Sequence, residues 1–205
     1  MQSSLSMVYD RETGAMRTLL VSPFPRSFLL ISKLLGGVAV SLLQVYVFLI
    51  IAWYWEIEPG GAPIPIGFGL SIPAPWNGYI TVFPALILAG LMLGSLALFM
   101  SSVIKQLENF AGVMNFVIFP MFFASSALYP LWRVRESSPL LYELCRLNPF
   151  THAVELIRFA LYGKLDWTSL AVCAGFTIVF LLGAIYAYNP SKGLIGRRGG
   201  PGGGA

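Results

Sequence analysis

Charged residues cut this chain into long uncharged stretches of the length that membrane helices need. Lys33 and Glu56 enclose 22 residues, Leu34 to Trp55. At 1.5 Å per residue that is about 33 Å of helix, against roughly 30 Å of hydrocarbon core. Glu58 and Lys105 enclose 46 residues. The first part of these, Pro59 to Pro75, holds five prolines and four glycines, which excludes a straight helix. An irregular loop is expected there, followed by a second crossing at Ile80 to Ile104. Asn109 to Trp132 is a third window, and Thr168 to Tyr188 a fourth crossing. Backbone polar groups must be satisfied inside lipid, so all four read as helices. The pattern predicts an all-α integral membrane protein with about four transmembrane helices.

Shorter amphipathic segments lie between these windows. Tyr9 to Leu20 places Met16, Leu19 and Leu20 on one helical face, with Arg11, Glu12 and Arg17 as the polar surface. Ser22-Pro23-Phe24-Pro25 stops it. Such a helix suits either docking to a partner or lying on the lipid surface. Ser137 to Gly163 is too charged to cross and too apolar for a free loop. Ser138-Pro139 and Asn148-Pro149 each look like a helix start, with a polar N-cap and proline at the first helical position. In the second of these helices Phe150, Val154, Ile157 and Leu161 form an apolar stripe. Glu155 and Arg158 stand three apart on the other side, where they can pair. Gly163 is a natural stop.

Composition sharpens the picture. The 205 residues are 57% hydrophobic and only 11% charged, far below the roughly 25% charged residues of a soluble domain. The net charge is +4, but the basic residues bracket apolar windows and form no stripe for nucleic acid. Four crossings put both termini on one side, with eight Lys and Arg there and five on the other. The excess of positive charge assigns that side to the cytoplasm. Trp53, Trp55, Trp76, Tyr129, Trp132 and Trp167 fall near the predicted outer ends as an aromatic belt. The early charges Asp10, Arg11 and Glu12 exclude a secretory signal peptide. Residues 191–205, rich in glycine, read as a disordered cytoplasmic tail.

Chemistry-bearing residues are few. Gln44 falls near the middle of the first crossing and Asn115 inside the third. An amide in lipid either bonds across helices or lines a polar conduit. Gly90 and Gly94, and Ala171 and Gly175, are small pairs that permit close helix approach. No ionisable side chain lies centrally in any crossing, which disfavours a proton-driven or sodium-driven carrier. No metal-ligand spacing, nucleophile motif or phosphate-binding loop occurs, and Cys145 and Cys173 have no such spacing either. A lipid-modifying enzyme would have only His152 with Glu155 to work with.

Two segments carry a family resemblance. Met7 to Leu20 with Ser22-Pro23-Phe24-Pro25-Arg26, and then Lys33-Leu34-Leu35-Gly36-Gly37, resemble the cytoplasmic segment and following crossing of type-2 ATP-binding-cassette exporter permeases. Asn148-Pro149-Phe150-Thr151-His152-Ala153-Val154-Glu155-Leu156-Ile157-Arg158 resembles the same family's outer signature before its last crossing. The resemblance covers residues 1–190 and implies a permease subunit in the inner membrane that pairs with a second permease copy. ATP would be bound and hydrolysed by a cytoplasmic ATPase partner, with no cofactor on this chain. It implies that Asp10, Arg11, Glu12, Gly14, Met16, Arg17 and Leu20 form a coupling helix docking on that ATPase. It also implies that the helices around Asn148, Pro149, Glu155 and Arg158 are half-inserted at the outer face. Family members typically have two further crossings upstream, so the chain is expected to be partial; a truncated, non-transporting scaffold is the alternative.

Overall fold

The computed structural model describes residues 26–55, 64–67, 70–72, 76–104 and 107–187. The segment expected as the coupling helix, residues 10–20, lies outside the described residues, as does the tail 191–205.

The protein is a multi-pass helical membrane protein. Three helices are long and apolar enough to cross a bilayer among the described residues. They are α1 (Arg26–Tyr54), α2 (Trp76–Val103) and the last helix, Trp167–Ala187. The second and last begin within four residues of their expected starts. The first begins eight residues earlier than the uncharged window, because Lys33 does not interrupt helical backbone.

α2 is the centre of the bundle. Half of its apolar window is buried within the chain, against 11% for each of the other two spans. Val82, Ala85, Leu86, Ala89 and Met92 make its buried face. Alanine at 85 and 89, one turn apart, keeps the middle of that face low enough for neighbouring backbones to come close. A second cluster joins Leu30, Leu34 and Val38 of α1 to Leu98 of α2 and Ala184 of the last helix.

Two segments differ from expectation. The third window yields α3 (Leu107–Phe123), only 17 residues and so about 25 Å, the lower end of the spanning range. It stops short of Trp132 because side chains, not further helix, take up its last carbonyls. Asn148 donates to that of Met121 and to that of Ala124 just past the helix, and Ser125 to that of Phe122. After a turn, Trp132 falls in a separate short helix, α4 (Leu131–Ser137). The loop Pro59–Pro75, expected to be irregular, contains a hairpin of β1 (Ile64–Gly67) and β2 (Leu70–Ile72). The strands are antiparallel, pairing Ile64 with Ile72, Pro65 with Ser71 and Gly67 with Leu70, with an irregularity between Pro65 and Gly67. A proline is admissible in such an edge pairing because one side of each strand has no ladder to feed.

α5 (Pro139–Leu147) and α6 (Pro149–Leu161) start where the sequence places them. Ser138 and Asn148 are the N-caps, each followed by proline, and their side chains accept from Leu141 N and Phe150 N. Gly163 adopts φ +67°, the left-handed conformation that suits glycine, and turns the chain toward α7 (Trp167–Ala187). Cys145 and Cys173 are both buried and unpaired.

Candidate functional site: an apolar cleft and an adjoining helix junction

A cleft of about 490 Å³ opens between α1, α2, α3 and α6. Gly37 and Gln44 of α1, Gly90 and Gly94 of α2, Met114 of α3 and Phe150 of α6 are among its walls. Glycines on facing helices thin the walls and so make the space. Ser41 also faces it, but its hydroxyl donates to the carbonyl of Gly37 one turn back at 2.9 Å. The amide of Gln44 is exposed and bonds to no described residue, so it is the group on the α1 wall free to meet a solute. None of the wall residues is ionisable. Asn115 sits elsewhere: it is exposed on α3 and is not part of the cleft lining.

The G-x-x-x-G pair divides in two. A Cβ on Gly94 would stand 2.5 Å from Cδ1 of the buried Leu34, so the tip of that side chain would have to shift to admit anything larger than glycine here. A Cβ on Gly90 would meet Val38 at 3.5 Å, ordinary contact. Ala171 and Gly175 are both exposed, and nothing lies within 4 Å of a Cβ on Gly175.

At one end of the cleft, Tyr46 donates from its hydroxyl to the carbonyl of Tyr79 at 2.9 Å. Tyr79 donates from its own hydroxyl to the carbonyl of Leu49 at 3.2 Å. The two phenols thus bridge α1 and α2 in opposite senses. Trp76 packs between Trp53 and Tyr79, with ring centroids at 5.9 and 6.0 Å. The sequence shows these residues only as aromatics near helix ends; the pairing across a long loop has no local signal.

The residues of the second resembling segment gather into one junction. Asn148 Nδ2 donates to the carbonyls of Met121 (2.6 Å) and Ala124 (2.7 Å), while its Oδ1 accepts from Phe150 N at 3.0 Å. Pro149 follows as the first helical residue. Arg158 forks, with Nη1 donating to Glu155 Oε1 at 2.8 Å and Nη2 to the carbonyl of Ser126 at 2.9 Å. One cap and one guanidinium therefore hold the turn after α3 against α6. Phe122 meets Phe150 edge-on at 6.0 Å on the same joint. The hydroxyls of Ser126 and Thr151 are buried there without a partner among the described residues.

α6 docks through a different stripe from the one its periodicity suggests. Thr151, Ala153, Leu156 and Ala160 are the buried positions, whereas Phe150, Val154, Ile157 and Leu161 are half-buried. The small residues let α6 lie close on α2, where Thr81 donates to the carbonyl of Ala160 at 2.6 Å. His152 and Glu155 do not bond to each other. The imidazole engages Ser169 and the Arg146 carbonyl, and the carboxylate engages Arg158.

Residues 1–162 match the model of the family described as ABC-2 type transporter. Similar proteins include one named transport permease ycf38 from Porphyra purpurea, 29% identical over 168 residues, 82% of this chain and 52% of that one. Its namesake in Pyropia yezoensis is 28% identical over 193 residues, 89% of this chain and 60% of that one. Nodulation protein J of Neorhizobium galegae is 32% identical over 88 residues, 43% of this chain and 32% of that one. The chain thus spans between about a third and three fifths of the length of these relatives. No solved structure matches.

Proposed function

We propose that this chain, which belongs to the ABC-2 type transporter family, is the membrane-spanning permease subunit of an ATP-binding-cassette exporter. A separate cytoplasmic ATPase hydrolyses the ATP, and a second permease copy completes the conduit. The chain sits in the inner membrane with both termini in the cytoplasm, and substrate leaves on the side of the junction between α3 and α6.

The observation that carries this reading is the family match over residues 1–162, which includes the amphipathic segment 10–20. Relatives named transport permease agree with it. The cleft supports it too, because its walls offer an amide and apolar surface but no ionisable group with which to couple movement to an ion gradient. The energy then has to come from a partner, and the polar surface that the sequence pattern gives Arg11, Glu12 and Arg17 suits a soluble one.

Co-purification from membranes tests this. The tagged chain is expected to retain an ATPase subunit, and reversal of the three charges (Arg11→Glu, Glu12→Arg, Arg17→Glu) to release it. Retention of the ATPase by the reversed variant, or cysteine labelling near residue 15 from outside intact cells, refutes the arrangement.

A further inference from the structure

Three helices meet at one imidazole. His152 is the chain's single histidine and lies half-buried near the start of α6. Its Nε2 is 2.9 Å from the carbonyl oxygen of Arg146 at the end of α5. Its Nδ1 is 3.3 Å from Oγ of Ser169 in the first turn of α7. The Ser169 hydroxyl donates at 2.5 Å to Oδ2 of Asp166. That carboxylate also caps α7, accepting from Thr168 N and Ser169 N at 3.1 and 3.3 Å.

Donor and acceptor directions decide how many protons this chain of bonds accommodates. A carbonyl only accepts, so Nε2 carries a proton. Asp166 holds the one proton that Ser169 has, so Oγ presents lone pairs to Nδ1. A neutral imidazole protonated on Nε2 then sets lone pair against lone pair. An imidazolium carries N–H on both nitrogens and completes an unbroken run from the Arg146 carbonyl to the Asp166 carboxylate.

The remaining charges nearby are otherwise engaged or exposed. On α6 itself Glu155 and Arg158 pair with each other. α5 brings Glu143 and the Arg146 side chain, both exposed, and Cys145, whose thiol burial pushes up and so keeps neutral. The connection to α7 brings the exposed Lys164, and α7 brings the buried thiol Cys173. α2, on which α6 packs, carries no ionisable side chain besides Tyr79.

We propose that His152, Ser169 and Asp166 form a proton-operated latch, which ties the end of α5 and the start of α7 to α6 when the imidazole carries two protons and slackens when it carries one. Protonation of the ring completes the run of bonds, so the latch tightens as the compartment facing α5 and α6 acidifies.

Hydrogen exchange on the full chain in lipid nanodiscs tests this without an ATPase or a substrate, so the outcome is independent of the transport reading. Rates are corrected for the intrinsic pH dependence of amide exchange. Protection of amides in residues 141–150 and 167–173 is expected to be about tenfold higher at about pH 5 than at about pH 8. The variants His152→Gln and Asp166→Asn are expected to lose that difference. Equal protection at both pH values in the unaltered chain overturns the latch, as does a difference that survives in His152→Gln. Nitrogen spectra of the histidine ring need no variant. Two slowly exchanging ring N–H signals are expected at the acidic end, and a single one there refutes the proposal.

Discussion

Asn148 and Met121 are 27 positions apart in sequence and joined by a 2.6 Å hydrogen bond from the Asn148 side-chain amide to the Met121 carbonyl. The same side chain takes the carbonyl of Ala124 and starts α6 through Phe150 N, so one residue closes one helix and opens another. Asn148→Ala strands two carbonyls and a helix N-terminus at a nearly buried position. It is expected to cost about 2 to 4 kcal/mol, read as lower thermal stability in detergent. Asn148→Asp keeps the cap oxygen but turns a negative charge on two carbonyls. It should therefore be no better than alanine, although aspartate is as good a cap in isolation.

Arg158 is expected to resist replacement by lysine. Its fork serves Glu155 and the Ser126 carbonyl at once, and a single ammonium has no planar pair of donors to match. The Arg158 side chain is 39% exposed, so the ion pair itself is screened and adds little. The lost carbonyl bond should dominate, at about 1 kcal/mol. Glu155→Gln should then cost less than Arg158→Lys in the same melting experiment; the reverse order would show that the ion pair matters more than the bond to Ser126.

Thr151→Val and Ser126→Ala should stabilise the protein. Both hydroxyls are buried without a partner among the described residues, and removing an unsatisfied polar atom while keeping most of the volume gains about 1 kcal/mol. A fall in melting temperature for both would mean that the hydroxyls are bridged by bound water.

Gly90→Ala and Gly94→Ala separate close approach from mere small size. Alanine at 94 drives against the tip of the buried Leu34 and is expected to destabilise by about 1 to 2 kcal/mol. Alanine at 90 meets Val38 at ordinary distance and should be neutral or slightly stabilising through its higher helix propensity.

Gln44→Leu should leave folding intact or improve it, since the amide bonds to no described residue. If the cleft carries solute, export by the assembled transporter changes in the same variant. Unaltered export with raised stability would make the cleft a packing defect.

The long-period features were legible in the sequence. Uncharged windows gave the spans, and the Ser-Pro and Asn-Pro pairs gave the starts of α5 and α6, because caps act within one helical turn. What could not be read depends on partners distant in the chain. The end of α3 at Phe123 is set by Asn148, and the buried stripe of α6 by the small residues of α2. The Tyr46 and Tyr79 pairing has the same origin, since both hydroxyls seek backbone carbonyls on another helix. The sequence offered His152 only alongside Glu155, because Asp166 and Ser169, which orient it, lie beyond the turn at Gly163. A local clue was present in Asp166, Thr168 and Ser169, which have the pattern of a helix cap, but nothing local links that cap to His152.

The reciprocal phenol bonds between α1 and α2 restrict how the cleft can change its volume. Sliding α1 along α2 by one turn would break both at once, so these two helices travel as a rigid pair. α6 is pinned to α2 through Thr81 and to the turn after α3 through Arg158. α3 is fastened to the start of α6 near its C-terminal end by Asn148, and to α2 by Met114, which is buried against Ala97. Widening of the cleft on this side therefore means parting Met114 from Ala97, two wall residues that are buried against each other.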